Sequence, residues 1–532
     1  GEMTTFAEAL VGALRERGTR HLFGVPGGGS SLDLIEACGK LGVRFVLTRT
    51  ETAAMLAAAA TAEITGAPGA ALAGVGPGAA SAVNGMAYCA LERAPAMLFT
   101  DRVPEDPNRP SWHQKFDQPA MFRPVAKAAA WLTPSTPGAE IAALMDMMTA
   151  DPQGPVHVDM TAAEAGLPFE DAVPGPAEQD AGPPPEIARI AERLDGSCRV
   201  AMIVGLQARH AGEPVRALAR ALNAACLTTY KAKGTIADDD SHFVATFTGG
   251  TAEAAILNDA DLILLVGHDP VEAIPGRWMY DAPVLALSAW DWAAAGGHPA
   301  PEIMAVGDIG PMAVELARTA RGADWDEAIA GHRAAYRARV AYPAVEGVSP
   351  DDAVRMLQTA SDPSARLAVD AGAHMIPTLA QWIAREPAGV LKSNGLSTMG
   401  YALPAAIGSA CAEPDRPVVA ITGDGGAMMC LGELATATEL NADLTYVILN
   451  DSALSLIDVK QRNQQRPRAG VASETFDFAA MARAFGWAAA TVDRLDRLQP
   501  ALDLLATYDL PKLIDIRIDP SGYGGQFEAM RG

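Results

Sequence analysis

The chain is poor in cysteine: six among 532 residues (Cys38, Cys89, Cys198, Cys226, Cys411 and Cys430), none in CxxC spacing. That suggests neither a disulfide framework nor a zinc site, and reads as buried thiols in a reducing compartment. Basic residues are also few, 41 against 64 acidic, for a net charge of -23. This argues against nucleic acid or an anionic membrane surface as a partner. No apolar run is long enough to span a bilayer and no signal peptide is evident, so the expectation is a soluble, cytoplasmic protein.

What is present is a globular composition, 49% hydrophobic, in a chain too long for one core. Short apolar runs alternate with helical periodicity. His21 to Val25, Arg44 to Thr48, Ala70 to Val75 and Ala96 to Thr100 read as strands, as do Val200 to Val204 and Leu262 to Val266. Ala365 to Asp370, Val418 to Ile421, Thr445 to Leu449 and Lys512 to Ile518 complete the series. Alternation with short turns predicts an α/β protein of doubly wound parallel sheets. A Pro-rich acidic stretch over 168–187 and a weaker break near 342–350 divide it into three domains, 1–167, 188–345 and 351–532.

The most informative stretch runs from Gly423 to Asp451. A buried-strand pattern leads into Gly423-Asp424-Gly425, a helical pattern follows, and a second apolar run ends at Asn450-Asp451. Asp424 and Asp451 thus lie beyond the carboxyl ends of parallel strands, where open α/β sheets bind ligands. Two carboxylates beside loop carbonyls and glycine amides suit a hard cation such as Mg²⁺ that neutralises a diphosphate. An ordinary Asp turn fits the first motif taken alone. Glu51 follows the strand ending at Thr48 and opens an Ala-rich helix. A first-turn Glu favoured by the helix dipole accounts for it equally well on spacing alone.

Together these residues resemble the thiamine-diphosphate enzymes, acetolactate synthase-like group. The resemblance implies Asp424, Asp451 and the carbonyl of Ala453 as Mg²⁺ ligands, with Asp451 where the family usually has Asn. It implies that Glu51 hydrogen-bonds N1′ of the aminopyrimidine and drives proton removal from the thiazolium. Met399, within Ser393 to Ala406, matches the residue wedged beneath the cofactor, and Ser397 lies beside it. Gly372, His374, Gly425, Gly426 and Ala427 are implied at the diphosphate. Pro26, Gly28, Gly76 and Asn84 are implied as contacts from the first domain, and Gly28, Val75, His113 and Gln114 as the substrate pocket.

Gly28 and Val75 stand where benzoylformate decarboxylase-like enzymes carry Ser and His, so both loops lack acid–base side chains. The implied reaction is decarboxylation of a 2-oxo acid and transfer to a second carbonyl; a simple decarboxylase or a lyase is the alternative, and a non-catalytic cofactor-binding protein a more distant one. The arrangement implies a homodimer or a dimer of dimers (a homotetramer), with active sites between chains. No FAD is expected. The flavin-binding synthases have an Arg-Phe pair after the middle strand, where this chain has His268 and an Asp-Pro turn. Asp269 and Glu272 add negative charge there.

Overall fold

The computed structural model describes residues 3–179 and 181–532. Eighteen strands form three parallel six-stranded sheets among these residues. The first contains β1 (His21–Val25), β2 (Arg44–Leu47), β3 (Gly69–Ala73), β4 (Ala96–Asp101), β5 (Ala128–Trp131) and β6 (Val156–Met160). The second contains β7 (Val200–Val204), β8 (Ala225–Thr228), β9 (Phe243–Thr246), β10 (Leu262–Val266), β11 (Val284–Ser288) and β12 (Ile303–Val306). The third contains β13 (Arg366–Val369), β14 (Val390–Lys392), β15 (Val418–Gly423), β16 (Leu444–Asn450), β17 (Ala488–Val492) and β18 (Lys512–Arg517).

The first and third sheets share one topology, β2-β1-β3-β4-β6-β5 and β14-β13-β15-β16-β18-β17. Strand order reverses between β1 and β3 in one, and between β13 and β15 in the other. Each reversal opens a crevice at the carboxyl ends, because the flanking connections leave on opposite faces. The second sheet, β12-β11-β10-β7-β8-β9, reverses between β7 and β10. Central strands such as Leu262–Val266 and Val200–Val204 are buried at every position, as parallel strands covered on both faces must be.

By packing, the chain forms two compact units. One comprises residues up to 179 with 403–416 and 430–444, and carries the first sheet. Its Ala-rich helix Glu51–Thr65 is closely approached by two others: a Cβ on Gly85 would lie 2.2 Å from Met55 Cβ, and one on Gly408 2.5 Å from the Ala57 carbonyl. Small residues permit these approaches. The other unit comprises 180–402, 417–429 and 445–532 and carries the second and third sheets. The helix expected after Gly-Asp-Gly is two helices, Asp424–Met428 and Glu433–Leu440, separated around Gly432. Among the described residues no helix is long and apolar enough to cross a membrane.

Candidate active site

In the second unit, a cavity of about 230 Å³ opens at the carboxyl ends of β13, β15 and β16. It gathers Gly372, His374, Ser397, Met399, Asp424, Gly425, Gly426, Asp451 and Ala453 on one wall set. Ala427 is fully buried within the short helix and does not line it. Leu454 and Ser455, directly after Ala453, line it too, as does Tyr523, from a segment for which the sequence offered no motif.

Asp424 and Asp451 meet here. The Asp451 amide donates to Asp424 Oδ1 at 3.3 Å, and the Ser455 hydroxyl donates to Asp451 Oδ2. Burial raises the pKa of Asp424. Burial also raises Asp451 and the charge of Asp424 adds to that, against the Ser455 hydrogen bond. Two neighbouring carboxylates out of water are an unfavourable arrangement that a divalent cation relieves. Among the described residues no group of three His, Cys, Asp or Glu forms a metal cluster, so a cation here would draw further ligands from carbonyls, water or a bound anion, as Mg²⁺ commonly does. His374 is 4% exposed, its Nε2 has no partner, and burial lowers its pKa to about 4. A neutral ring with an orphaned nitrogen is a ready hydrogen-bonding partner for a ligand. These features fit a diphosphate held through a cation.

Asp370 organises this wall. It is fully buried, and its carboxylate accepts from the amides of Ala371, Gly400 and Tyr401 and from the Thr422 hydroxyl. It therefore ties the ends of β13 and β15 to the loop carrying Met399. Burial, against these hydrogen bonds, pushes its pKa up to about 6. Gly426 must be glycine, since a Cβ would lie 2.6 Å from Thr422 Oγ1 and 2.7 Å from Asp370 Oδ2. Met399 and Leu454 press on Gly425 from the cavity side.

In the first unit, Glu51 is half-buried at the start of its helix, and burial raises its pKa. Thr50 caps that helix, its hydroxyl accepting from the Ala53 amide at 3.0 Å. Glu433 holds the approach: its carboxylate accepts from the Arg49 amide at 2.8 Å and the Thr50 amide at 3.1 Å. Pro26 and Gly28 lie in the loop after β1. Asp101 supports that loop, accepting from the Ser30 hydroxyl and the Ser31 amide. A Cβ on Gly27 or Gly29 would strike Asp101, whereas one on Gly28 would meet nothing within 4 Å.

Gly76 has φ +73° and its amide donates to Gln118 Oε1 at 2.9 Å. Gln114 Cβ would lie 2.8 Å from a Cβ at Gly76, so Gln114 and the Val75–Gly76 turn are neighbours. His113 is exposed in its loop and Asn84 is exposed on its helix. Gln118 was not singled out from sequence. It donates to the Asp101 carbonyl at 2.8 Å and to Asp159 Oδ1 at 2.9 Å, linking the turn after β3 to β4 and β6.

The second sheet has its own crevice, a cavity of about 100 Å³ lined by Thr229, Phe247, His268, Glu272, Trp278 and Tyr280, among others. Here the expected negative charge is weaker than the sequence suggests. Glu272 is buried, accepts from the Leu206 amide and the Thr229 hydroxyl, and burial pushes its pKa up to about 7. Asp269 is engaged by the Val271 amide and the Trp290 indole.

Comparison with known proteins matches residues 4–121 to the thiamine pyrophosphate enzyme N-terminal TPP binding domain, 187–316 to the central domain and 370–516 to the C-terminal TPP binding domain. The chain is 29% identical to a catabolic acetolactate synthase of Raoultella terrigena, over 96% of this chain and 95% of that one. It is 26% identical to the acetolactate synthase of Bacillus subtilis (97% and 93% covered). It is 27% identical to the acetolactate synthase isozyme 1 large subunit of Escherichia coli (97% and 94%).

Proposed function

Because the chain belongs to the thiamine pyrophosphate enzymes, we propose that it decarboxylates a 2-oxo acid and joins the remaining acyl unit to a second carbonyl. It is a thiamine-diphosphate- and Mg²⁺-dependent enzyme acting on carbon–carbon bonds, similar over nearly its full length to acetolactate synthases. When bound, the cofactor supplies the carbon nucleophile and the electron sink. In our reading Asp424, Asp451 and the Ala453 carbonyl hold the cation, while the amides of Gly425 and Gly426 and the ring of His374 meet the diphosphate. Met399, on the cavity wall, would support the cofactor, and Glu51, its pKa raised by burial, would hold a proton for the pyrimidine nitrogen.

The observation that carries carboligation over simple decarboxylation is the character of the first unit's loops. Space stands open above Gly28, and Val75 offers no proton. A simple decarboxylase must protonate its carbanion, and a positioned acid accelerates such a transfer by about 10²–10⁴-fold. A loop pair without an acid would leave that protonation unassisted and so favour a carbonyl acceptor. We further propose a homodimer or dimer of dimers with sites completed between chains.

The test is a panel of 2-oxo acids assayed for CO₂ release with product identification. Hydroxyketone or hydroxy-oxo-acid products support the reading; aldehyde as the sole product makes the protein a decarboxylase. Thermal stabilisation by thiamine diphosphate with Mg²⁺, and not by NAD or ATP, checks the cofactor independently.

A further inference from the structure

The first unit holds a cavity of about 510 Å³ that the reaction proposed above uses only at its Val75 rim. It lies at the carboxyl ends of β4 and β6, beside Trp131 of β5. Arg102, Lys115 and Arg123 line it, and so do Asp117, Asp159 and Glu105. The three carboxylates differ in kind. Asp159 is 1% exposed and committed to the Thr100 hydroxyl, Gln118 and Arg102 Nη1, the last at 2.9 Å. Asp117 caps the helix Gln118–Phe122 through the Ala120 amide.

Glu105 is solvent-facing, 53% exposed, as Asp117 is too, but Glu105 is the one that bridges two cations: Arg102 Nη2 at 2.8 Å and Lys115 Nζ at 3.1 Å. Arg102 lies over the Trp131 ring, its Cζ 4.2 Å from the centroid, and its buried Nε has no partner. Arg123 makes no ion pair among the described residues. The guanidinium of Arg102 is therefore fixed by packing and by Asp159, while the carboxylate on its outer edge is an exposed surface group. Exposed pairs of that kind are weak and readily exchanged. An incoming carboxylate can meet a fixed guanidinium through parallel hydrogen bonds.

We propose that this cavity binds a small dicarboxylate, one carboxylate displacing Glu105 from Arg102 and Lys115 and the other engaging Arg123. If the ligand is the reacting acid, the proposal rests on the 2-oxo-acid reading and narrows it to an acid with a second carboxylate. A separate effector would use the same chemistry.

The test uses the protein loaded with thiamine diphosphate and Mg²⁺, titrated with succinate and 2-oxoglutarate against acetate and pyruvate. Binding is followed by calorimetry and by Trp fluorescence, with Trp131→Phe as the optical blank. Dicarboxylates are expected to bind at least about tenfold more tightly than monocarboxylates, the scale of one added hydrogen bond to a charged group. Glu105→Gln removes the internal competitor and should tighten succinate binding about three- to tenfold, whereas Arg123→Gln should weaken it by a similar factor.

Equal binding of both classes, no binding of either, or weaker binding in Glu105→Gln overturns the proposal. Pyruvate turnover without dicarboxylate binding removes this site and leaves the function. Succinate binding with no turnover of any 2-oxo acid removes the function and leaves the site. Succinate competing with 2-oxoglutarate turnover identifies the site as the substrate's; non-competitive inhibition identifies an effector.

Discussion

Glu51 opens a helix, where the axis dipole normally favours a carboxylate, yet burial outweighs that and lifts its pKa. A carboxyl so placed is suited to sharing a proton. Glu51→Gln should keep cofactor affinity and lose turnover by about 10²–10⁴-fold, the usual cost of a positioned acid–base group; kcat beside a fluorescence titration of thiamine diphosphate checks both halves. Asp424 and Asp451 lend themselves to a paired experiment. Asp424→Ala should abolish Mg²⁺-dependent cofactor binding. Asp451→Asn keeps an oxygen ligand and removes a like charge from beside Asp424, so it should bind cofactor as well as the wild type. Much weaker cofactor binding by Asp451→Asn in the same titration would mean that the second negative charge is needed.

At the scale of elements, the crevice walls are set by close approaches. Gly426→Ala forces its methyl into Thr422 and Asp370, and Asp370 is fixed by hydrogen bonds from four groups. The expected cost is about 1–3 kcal/mol in denaturant unfolding, the range for overpacking, with loss of stabilisation by the cofactor. Gly28→Ser, facing open space, is the control and should change stability by no more than about 0.5 kcal/mol. In the second sheet, Glu272 carries a pKa of about 7 against an ordinary 4.5. The folded protein then holds this proton more tightly than the unfolded chain does. The contribution to stability is full below about pH 4.5, falls as pH rises towards 7, and levels off above. Glu272→Gln should lack that slope, so variant and wild type diverge by roughly 3 kcal/mol across the window, read from denaturation at a series of pH values.

The central strands were legible because parallel strands buried on both faces are continuous apolar runs, as in Leu262–Val266. Edge strands such as Ala128–Trp131 and Ala488–Val492 are Ala-rich and partly exposed and carry no such mark. Asp424 and Asp451 stood out because strand-end loops display them. Gln118 and Glu433 did not, because their partners lie 41 and 384 residues away, and pairings at that range leave no local pattern.

For the whole molecule, the second sheet's crevice of about 100 Å³ falls below the ~300–1,000 Å³ of pockets that enclose drug-sized ligands. With His268 buried and neutral there, its pKa lowered to about 4 by burial, Arg277 is the one Lys or Arg among the described residues that the crevice offers to a dinucleotide diphosphate. The freshly purified protein should be colourless, and stoichiometric flavin absorption bands would refute this. A last property follows from how the chain is divided. The first unit takes residues 403–416 and 430–444 in addition to its opening 179. During synthesis the early sheet therefore waits on the ribosome for helices encoded much later, on the order of tens of seconds at ordinary elongation rates. Until then the Ala-rich face of the helix Glu51–Thr65 that receives Gly408 is bare. The gene accordingly cannot be cut between residues 179 and 180 into two self-sufficient halves, and the nascent chain is a natural client for chaperones throughout that interval.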